Sequence, residues 1–182
     1  MNWILNIDNG ILDFIQGNIR NLILDRLMPL ITSLGNGGLI WIIIALILIL
    51  TRKYRKYGFI LIGALAMCFI VGNVTLKNLI GRSRPFNANG KLELLLIAPP
   101  KDFSFPSGHT MCSFAAATVI YYMNKKAGIL AIILSLLIGF SRLYLYVHYP
   151  SDVFIGMIVG ILLGYISIVL YKYIVENKRN LK

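Results

Sequence analysis

The chain has 182 residues, 58% of them apolar and only 14% charged, and its 18 Lys and Arg outnumber its 7 Asp and Glu to give a net charge of +11. Soluble domains run about 45–50% apolar and about 25% charged. With a mean hydropathy of +0.76, the composition excludes a disordered chain and argues against a soluble globular domain. The cations lie between apolar runs, so membrane topology explains the charge better than nucleic acid does.

Residues 1–15 carry no Lys or Arg, and Asp8 and Asp13 interrupt any signal-peptide core. Ile4, Ile7, Ile11, Phe14, Ile15, Asn18 and Leu22 recur at helical spacing, which predicts an amphipathic helix lying in the membrane interface. A second short helix is expected near Asp25–Leu34 with Pro29 in its first turns, ended by Gly35, Gly37 and Gly38. Five stronger apolar segments follow, at 37–51, 57–79, 107–123, 127–146 and 152–172. About 20 apolar residues cross a bilayer core as a helix; the first segment is short and is expected to borrow from 31–36. The expected fold is an all-α integral membrane bundle of five to six transmembrane helices with an amphipathic N-terminal helix. It forms a single domain over 1–182, with 1–34 interfacial and 37–172 the transmembrane core.

Arg52, Lys53, Arg55 and Lys56, then Lys125 and Lys126, then Lys172, Lys178, Arg179 and Lys182 fall on one side if there are five spans. The positive-inside rule makes that side cytoplasmic. The N-terminus, the 80–106 loop, the 147–151 turn and six of the seven acidic residues are then outside, and the C-terminus is inside. A sixth crossing by 1–34 would put the N-terminus inside too. Cys68 and Cys112 lie in apolar stretches and read as small buried or lipid-facing side chains.

Polar residues gather on the outer side in three stretches, Lys77–Pro85, Phe105–His109 and Ser141–Asp152, which hold both histidines. Taken singly, Lys77 can snorkel, Arg82 and Arg84 can be surface charges on anionic lipid, and His109 and His148 can be helix-start or turn residues. Arg142, inside an apolar span, resists such a reading. Taken together, Lys77, Arg84 and Arg142 can meet at the outer ends of three helices. Ser107, Gly108 and His109 open a helix whose free N–H groups suit an anion. His148 and Asp152 are four apart, so the carboxylate can orient the imidazole and free Nε2 as a nucleophile.

These residues resemble the type 2 phosphatidic acid phosphatase superfamily: Lys77, six residues, Arg84-Pro85; Pro106-Ser107-Gly108-His109; Ser141-Arg142, five residues, His148, three residues, Asp152. The resemblance implies that His148 attacks phosphorus and becomes a phosphohistidine, and that Asp152 orients it. His109 protonates the leaving oxygen and then activates water. Lys77, Arg84, Arg142, Ser107 and the Gly108 amide hold the transition-state oxygens. It implies no metal and no cofactor, the fixed cations standing in for Mg²⁺. A site at the outer ends of the spans meets headgroups, so the expected partners are a lipid phosphate and the bilayer of a bacterial plasma membrane, not nucleic acid. Undecaprenyl diphosphate is the leading substrate, and phosphatidylglycerophosphate and phosphatidic acid are alternatives. A non-catalytic lipid-phosphate binder or transporter is the reading from another class.

Overall fold

The computed structural model describes the backbone of residues 2–180 and the side chains of 3–175. The described residues are helical with no strand. In chain order come α1 (Asn2–Phe14), α2 (Leu22–Leu34), α3 (Leu39–Leu50) and α4 (Arg55–Cys68). A widened turn over Phe69–Leu76 joins α4 to α5 (Lys77–Ile80), and α6 (Pro85–Ala88) follows. A loop then leads to α7 (Gly108–Met123), α8 (Lys125–Tyr144) and α9 (Pro150–Asn180).

Three helical stretches are long and apolar enough to cross a membrane: Arg55–Ala88, Lys125–Tyr144 and Pro150–Val175. A fourth arises if α2 and the segment Asn36–Leu50 are one span bent by 43°. Gly37 (φ 58°) and Gly38 (φ 71°) make that bend, a conformation a Cβ disfavours. The short 37–51 segment would then be extended by the residues before it, across that bend. The second N-terminal helix begins earlier than expected, because the Asn21 side chain accepts from the N–H groups of Ile23 (3.1 Å) and Leu24 (3.0 Å) and caps it there. Pro29 consequently sits mid-helix rather than in the first turns.

The apolar stripe of α1 faces away from the protein: Ile4, Ile7, Ile11 and Phe14 are exposed, while Asp8 and Leu12 are buried; Ile15 of the expected stripe lies just past the end of α1 and is buried too. Lipid is the medium that would cover such a stripe. The protein-facing side carries an acidic residue instead, which has consequences at the site.

α7 is the centre of the bundle. Met111, Ala115, Ala116, Ala117 and Val119 are buried along it, and Trp41 of α3 donates to Ser113 at 3.0 Å. Its closest partner is α9, through Gly156, Gly160 and Gly164. A Cβ on these glycines would stand 2.8 Å from the Ser107 carbonyl oxygen, 2.3 Å from that of Met111 and 2.8 Å from that of Ala115. Small residues every fourth position let two helices approach closely in lipid, where packing rather than water exclusion holds them. This fixes the start of α9 against the start of α7.

Gly160→Ala should therefore lower the melting temperature of the purified protein, because the obstructing atom is backbone; a cost of about 1–3 kcal/mol is expected. Gly10→Ala, with nothing within 4 Å, should leave the melting temperature unchanged or raise it, the stability gain being up to about 1 kcal/mol. Thermal unfolding in detergent compares the two.

Candidate active site

The three polar stretches converge because their ends are tied by backbone. α5 ends at Gly81 (φ 60°), and the next residue, Arg82, accepts through its carbonyl from the Ser104 N–H at 2.8 Å. The Ser107 N–H donates to the Asp152 carbonyl at 3.1 Å, joining the starts of α7 and α9. Between α8 and α9 the N–H groups of Val147 and His148 reach the Arg142 carbonyl at 3.2 and 3.3 Å. That reversal requires Tyr146 at φ 56°, a strained conformation for a bulky residue. The turn presents His148 and Arg142 on the same side.

A cavity of about 390 Å³ is lined by Lys77, Arg84, Gly108, His109, Arg142 and His148, together with Thr32, Asn36 and Asp102. Six of the eight residues singled out in the sequence thus line one cavity. Asp152 is fully buried behind it. Ser107 is also fully buried and does not line the cavity; its hydroxyl accepts from Thr110 at 2.9 Å. Gly108 lies in the first turn of α7, where a helix leaves its N–H groups without intrahelical partners.

The cations are buried and aimed inward. Arg84 donates to the Asp102 carbonyl (2.8 Å), the Val147 carbonyl (2.6 Å) and the Asp102 carboxylate (2.7 Å). Its Nη1 also lies 3.2 Å from His148 Nε2. Arg142 donates to Thr32 at 2.6 Å, and its buried Nε has no partner among the described residues. Lys77 pairs with Asp102. Burial alone would raise the Asp102 carboxyl, but the Lys77 and Arg84 charges and hydrogen bonds prevail and hold it well below the usual carboxylate range. The Asp102 carboxylate thus spans two of the three cations.

His148 is 1% exposed. Its Nδ1 lies 3.4 Å from Ser104 Oγ and 3.6 Å from Asp152 Oδ2, while Ser104 donates to the same Oδ2 at 2.5 Å. The carboxylate expected to meet the imidazole directly is therefore joined to it by an inserted hydroxyl. A nitrogen facing an Arg donor must accept, and one facing a committed hydroxyl must donate. The ring is thus neutral with its proton on Nδ1, leaving the Nε2 lone pair toward the cavity. Burial first, then Arg84, Arg142 and Lys77, push its pKa well below the ordinary imidazole value.

His109, which lines the same cavity, has its Nε2 2.9 Å from Asn36 Oδ1. Gly35 makes room for this ring, since a Cβ there would stand 2.8 Å from His109 Cδ2. His109 therefore retains a hydrogen-bonded orientation while bordering the cavity.

Arg82 departs from its reading as a surface charge. It donates to Asp152 Oδ1 at 2.6 Å, to Ser151 at 2.7 Å and to Asp8 at 2.7 Å. Ser104, Asn36, Thr32 and Asp8 were not singled out as site residues either, because each is a common polar residue outside any fixed spacing. Among the described residues, no group of three or more His, Cys, Asp or Glu side chains could hold a metal ion.

The PAP2 superfamily matches residues 54–176, and the chain belongs to it. PAP2 phosphatases hydrolyse phosphate esters, and this chain is a multi-pass membrane protein. It is 32% identical over 146 residues to the undecaprenyl-diphosphatase of Sulfolobus acidocaldarius, covering 80% of this chain and 69% of that one. It is 32% identical over 147 residues to the undecaprenyl-diphosphatase BcrC of Bacillus subtilis, covering 81% and 75%. The crystal structure of a transmembrane PAP2-type phosphatidylglycerolphosphate phosphatase from Bacillus subtilis superposes with a TM-score of 0.79 at 28% identity, covering 96% of this chain and 89% of that one.

An imidazole that resists protonation when folded binds fewer protons than the unfolded chain, whose histidines titrate near pH ~6.5. Its stability contribution is complete above that pH and is lost as pH falls toward the folded value. The ligand-free protein should therefore lose melting temperature from pH 7 to pH 5, and His148→Gln should make that slope shallower without abolishing it. Asp102 acts with the same sign only below pH ~4, outside this window. Thermal unfolding at the two pH values measures it.

Proposed function

We propose that this protein is a metal-independent lipid phosphatase working through a phosphohistidine, with undecaprenyl diphosphate as its substrate. The observation that carries the reading is the buried, neutral His148, with Nε2 beside Arg84 on the cavity that Lys77 and Arg142 also line, and Nδ1 backed by Ser104 and Asp152.

In this mechanism the terminal phosphoryl group displaces the Asp102 carboxylate from Lys77 and Arg84 and engages the unpartnered Arg142 Nε and the Gly108 N–H. His148 Nε2 attacks phosphorus as the bond to the leaving oxygen breaks. His109 gives its proton to that oxygen. Asp152, through Ser104, holds the Nδ1 proton while the ring becomes cationic. In the second half-reaction His109 accepts a proton from water, whose oxygen attacks phosphorus as the P–N bond breaks. Phosphate leaves and His148 is neutral again. Charge development on the equatorial oxygens is met by cations already in place, which is where preorganised sites gain most of their rate. Ser107 acts from behind, by fixing the start of α7.

The lipid assignment is supported by a second cavity of about 620 Å³, lined by Ile42, Ile62, Leu65 and Phe69, which shares Lys77, Gly108 and His109 with the first. An apolar groove opening from a cationic pocket fits an amphiphile with a long tail. The names of the two undecaprenyl-diphosphatases favour a prenyl diphosphate. The phosphatidylglycerolphosphate phosphatase with the same fold favours a glycerophospholipid monoester as the second reading. The distribution of Lys and Arg supports a site outside the plasma membrane and a C-terminus inside, and the exposed apolar stripe supports α1 lying in the outer interface of this single domain.

Phosphate release from undecaprenyl diphosphate in detergent with EDTA should proceed in the wild type and vanish in His148→Asn. Loss in EDTA would overturn metal independence, and no release without it would move the substrate to glycerophospholipids. Arg142→Lys should lose about 100-fold in kcat, because one ammonium cannot reproduce the fork; steady-state kinetics would detect wild-type turnover as a refutation.

A further inference from the structure

Asp152 is fully buried and its carboxylate is met from three sides. Ser104 and the Tyr149 N–H reach Oδ2 at 2.5 and 2.9 Å, and Arg82 Nη1 reaches Oδ1 at 2.6 Å. His148 Nδ1 stands 3.6 Å from Oδ2. Among the described residues Arg82 is the one cation bonded to this carboxylate, and it is itself held. Its guanidinium carbon lies 3.9 Å from the centre of the Tyr149 ring, and Nη2 donates to Asp8 Oδ2 at 2.7 Å. Asp8 is 2% exposed, on a helix 74 residues earlier in the chain. It accepts from the Ser151 N–H at 2.9 Å and the Ser151 hydroxyl at 2.6 Å. One acid of α1 thus caps the first turn of α9, which carries Asp152, and clamps the arginine that carries its counter-charge.

We propose that Arg82 and Asp8 are positioning residues for the catalytic pair, so that α1 is part of the catalytic apparatus rather than solely a membrane anchor. The inference rests on the phosphohistidine reading above. As His148 takes up the phosphoryl group it becomes cationic, and Asp152 must be anionic and correctly aimed at that moment. The guanidinium fork fixes one carboxylate oxygen and leaves the other to Ser104 and His148. A buried carboxylate without its cation is costly, and would turn to whatever donor remained. Arg82 does not line the phosphate cavity, so its removal acts on chemistry and not on anion binding.

The test compares the full-length wild type with Asp8→Asn, Arg82→Gln, Arg82→Lys and the Asp8→Asn/Arg82→Gln double variant, on the lipid phosphate that the wild type hydrolyses. Arg82→Gln should lower kcat by about 10- to 100-fold, as loss of an outer-shell carboxylate partner does elsewhere. KM and the inhibition constant of inorganic phosphate should stay within about twofold. Asp8→Asn keeps an oxygen for Ser151 and should lower kcat less. Arg82→Lys should recover part of the loss. The double variant should match Arg82→Gln alone, because Asp8 acts through Arg82. Wild-type kcat in Arg82→Gln, or a parallel rise in KM and the phosphate constant, overturns the proposal. So do losses that multiply in the double variant, or a kcat that falls only in proportion to folded protein. Should Arg82→Gln fail to fold, wild-type kcat in Asp8→Asn overturns it. A wild type inactive on every lipid phosphate defeats the phosphohistidine reading instead, and this inference with it.

Discussion

Three buried like charges around one small cavity are the constraint on which the rest of this structure depends. Lys77, Arg84 and Arg142 are each no more than 6% exposed, and a charge removed from water is costly unless it is paired. The protein offsets part of that cost internally. Asp102 bridges Lys77 and Arg84, Thr32 and several backbone carbonyls accept from the guanidinium groups, and His148 is kept neutral. It leaves one donor, Arg142 Nε, unpartnered among the described residues. In the proposed mechanism a phosphate dianion would supply that missing partner.

A second charge network sits directly behind the first with the opposite sign. Asp152, Arg82 and Asp8 form a chain with one cation between two carboxylates. Ser104 and His148 connect the two networks. The imidazole therefore lies between a positive cavity and a negative wall, which orders its tautomer and leaves Nε2 facing the cations. In a membrane protein this polarity needs a dry enclosure, and the Leu145, Val147 and Tyr149 side chains of the turn, with Phe86, Leu12 and Ile15, provide it.

Precision in the site depends on packing some distance away. The carbonyls of Ser107, Met111 and Ala115 lie so near Gly156, Gly160 and Gly164 that α7 and α9 have little freedom to slide. Their starts carry Gly108 and His109 on one side and Asp152 on the other. The widened turn at Phe69–Leu76 performs a comparable task for Lys77, since such turns rotate the next helical residues away from their place in a regular helix and recur at functional sites.

Three of the five expected spans, or four if the bent pair is one span, were legible in the chain, as were the three polar stretches and the cavity-lining residues within them, because each is local. An apolar run that must satisfy its own backbone is a helix, and a helix end, a tight turn and a helix start place Arg142, His148 and Asp152 at spacings the turn fixes. Arg82, Asp8 and Ser104 were not legible. Arg82 and Asp152 are 70 residues apart, Arg82 and Asp8 are 74 apart, and no local period relates them. Asp8 looked like an interruption of an apolar N-terminus, and the stripe of isoleucines hid the fact that the opposite face of α1 is the one the protein buries. Backbone geometry and hydrophobic period are properties of neighbouring residues and can be read along the chain. Which acid neutralises which buried base is set by where helices finally touch, and that depends on the packing of the whole bundle.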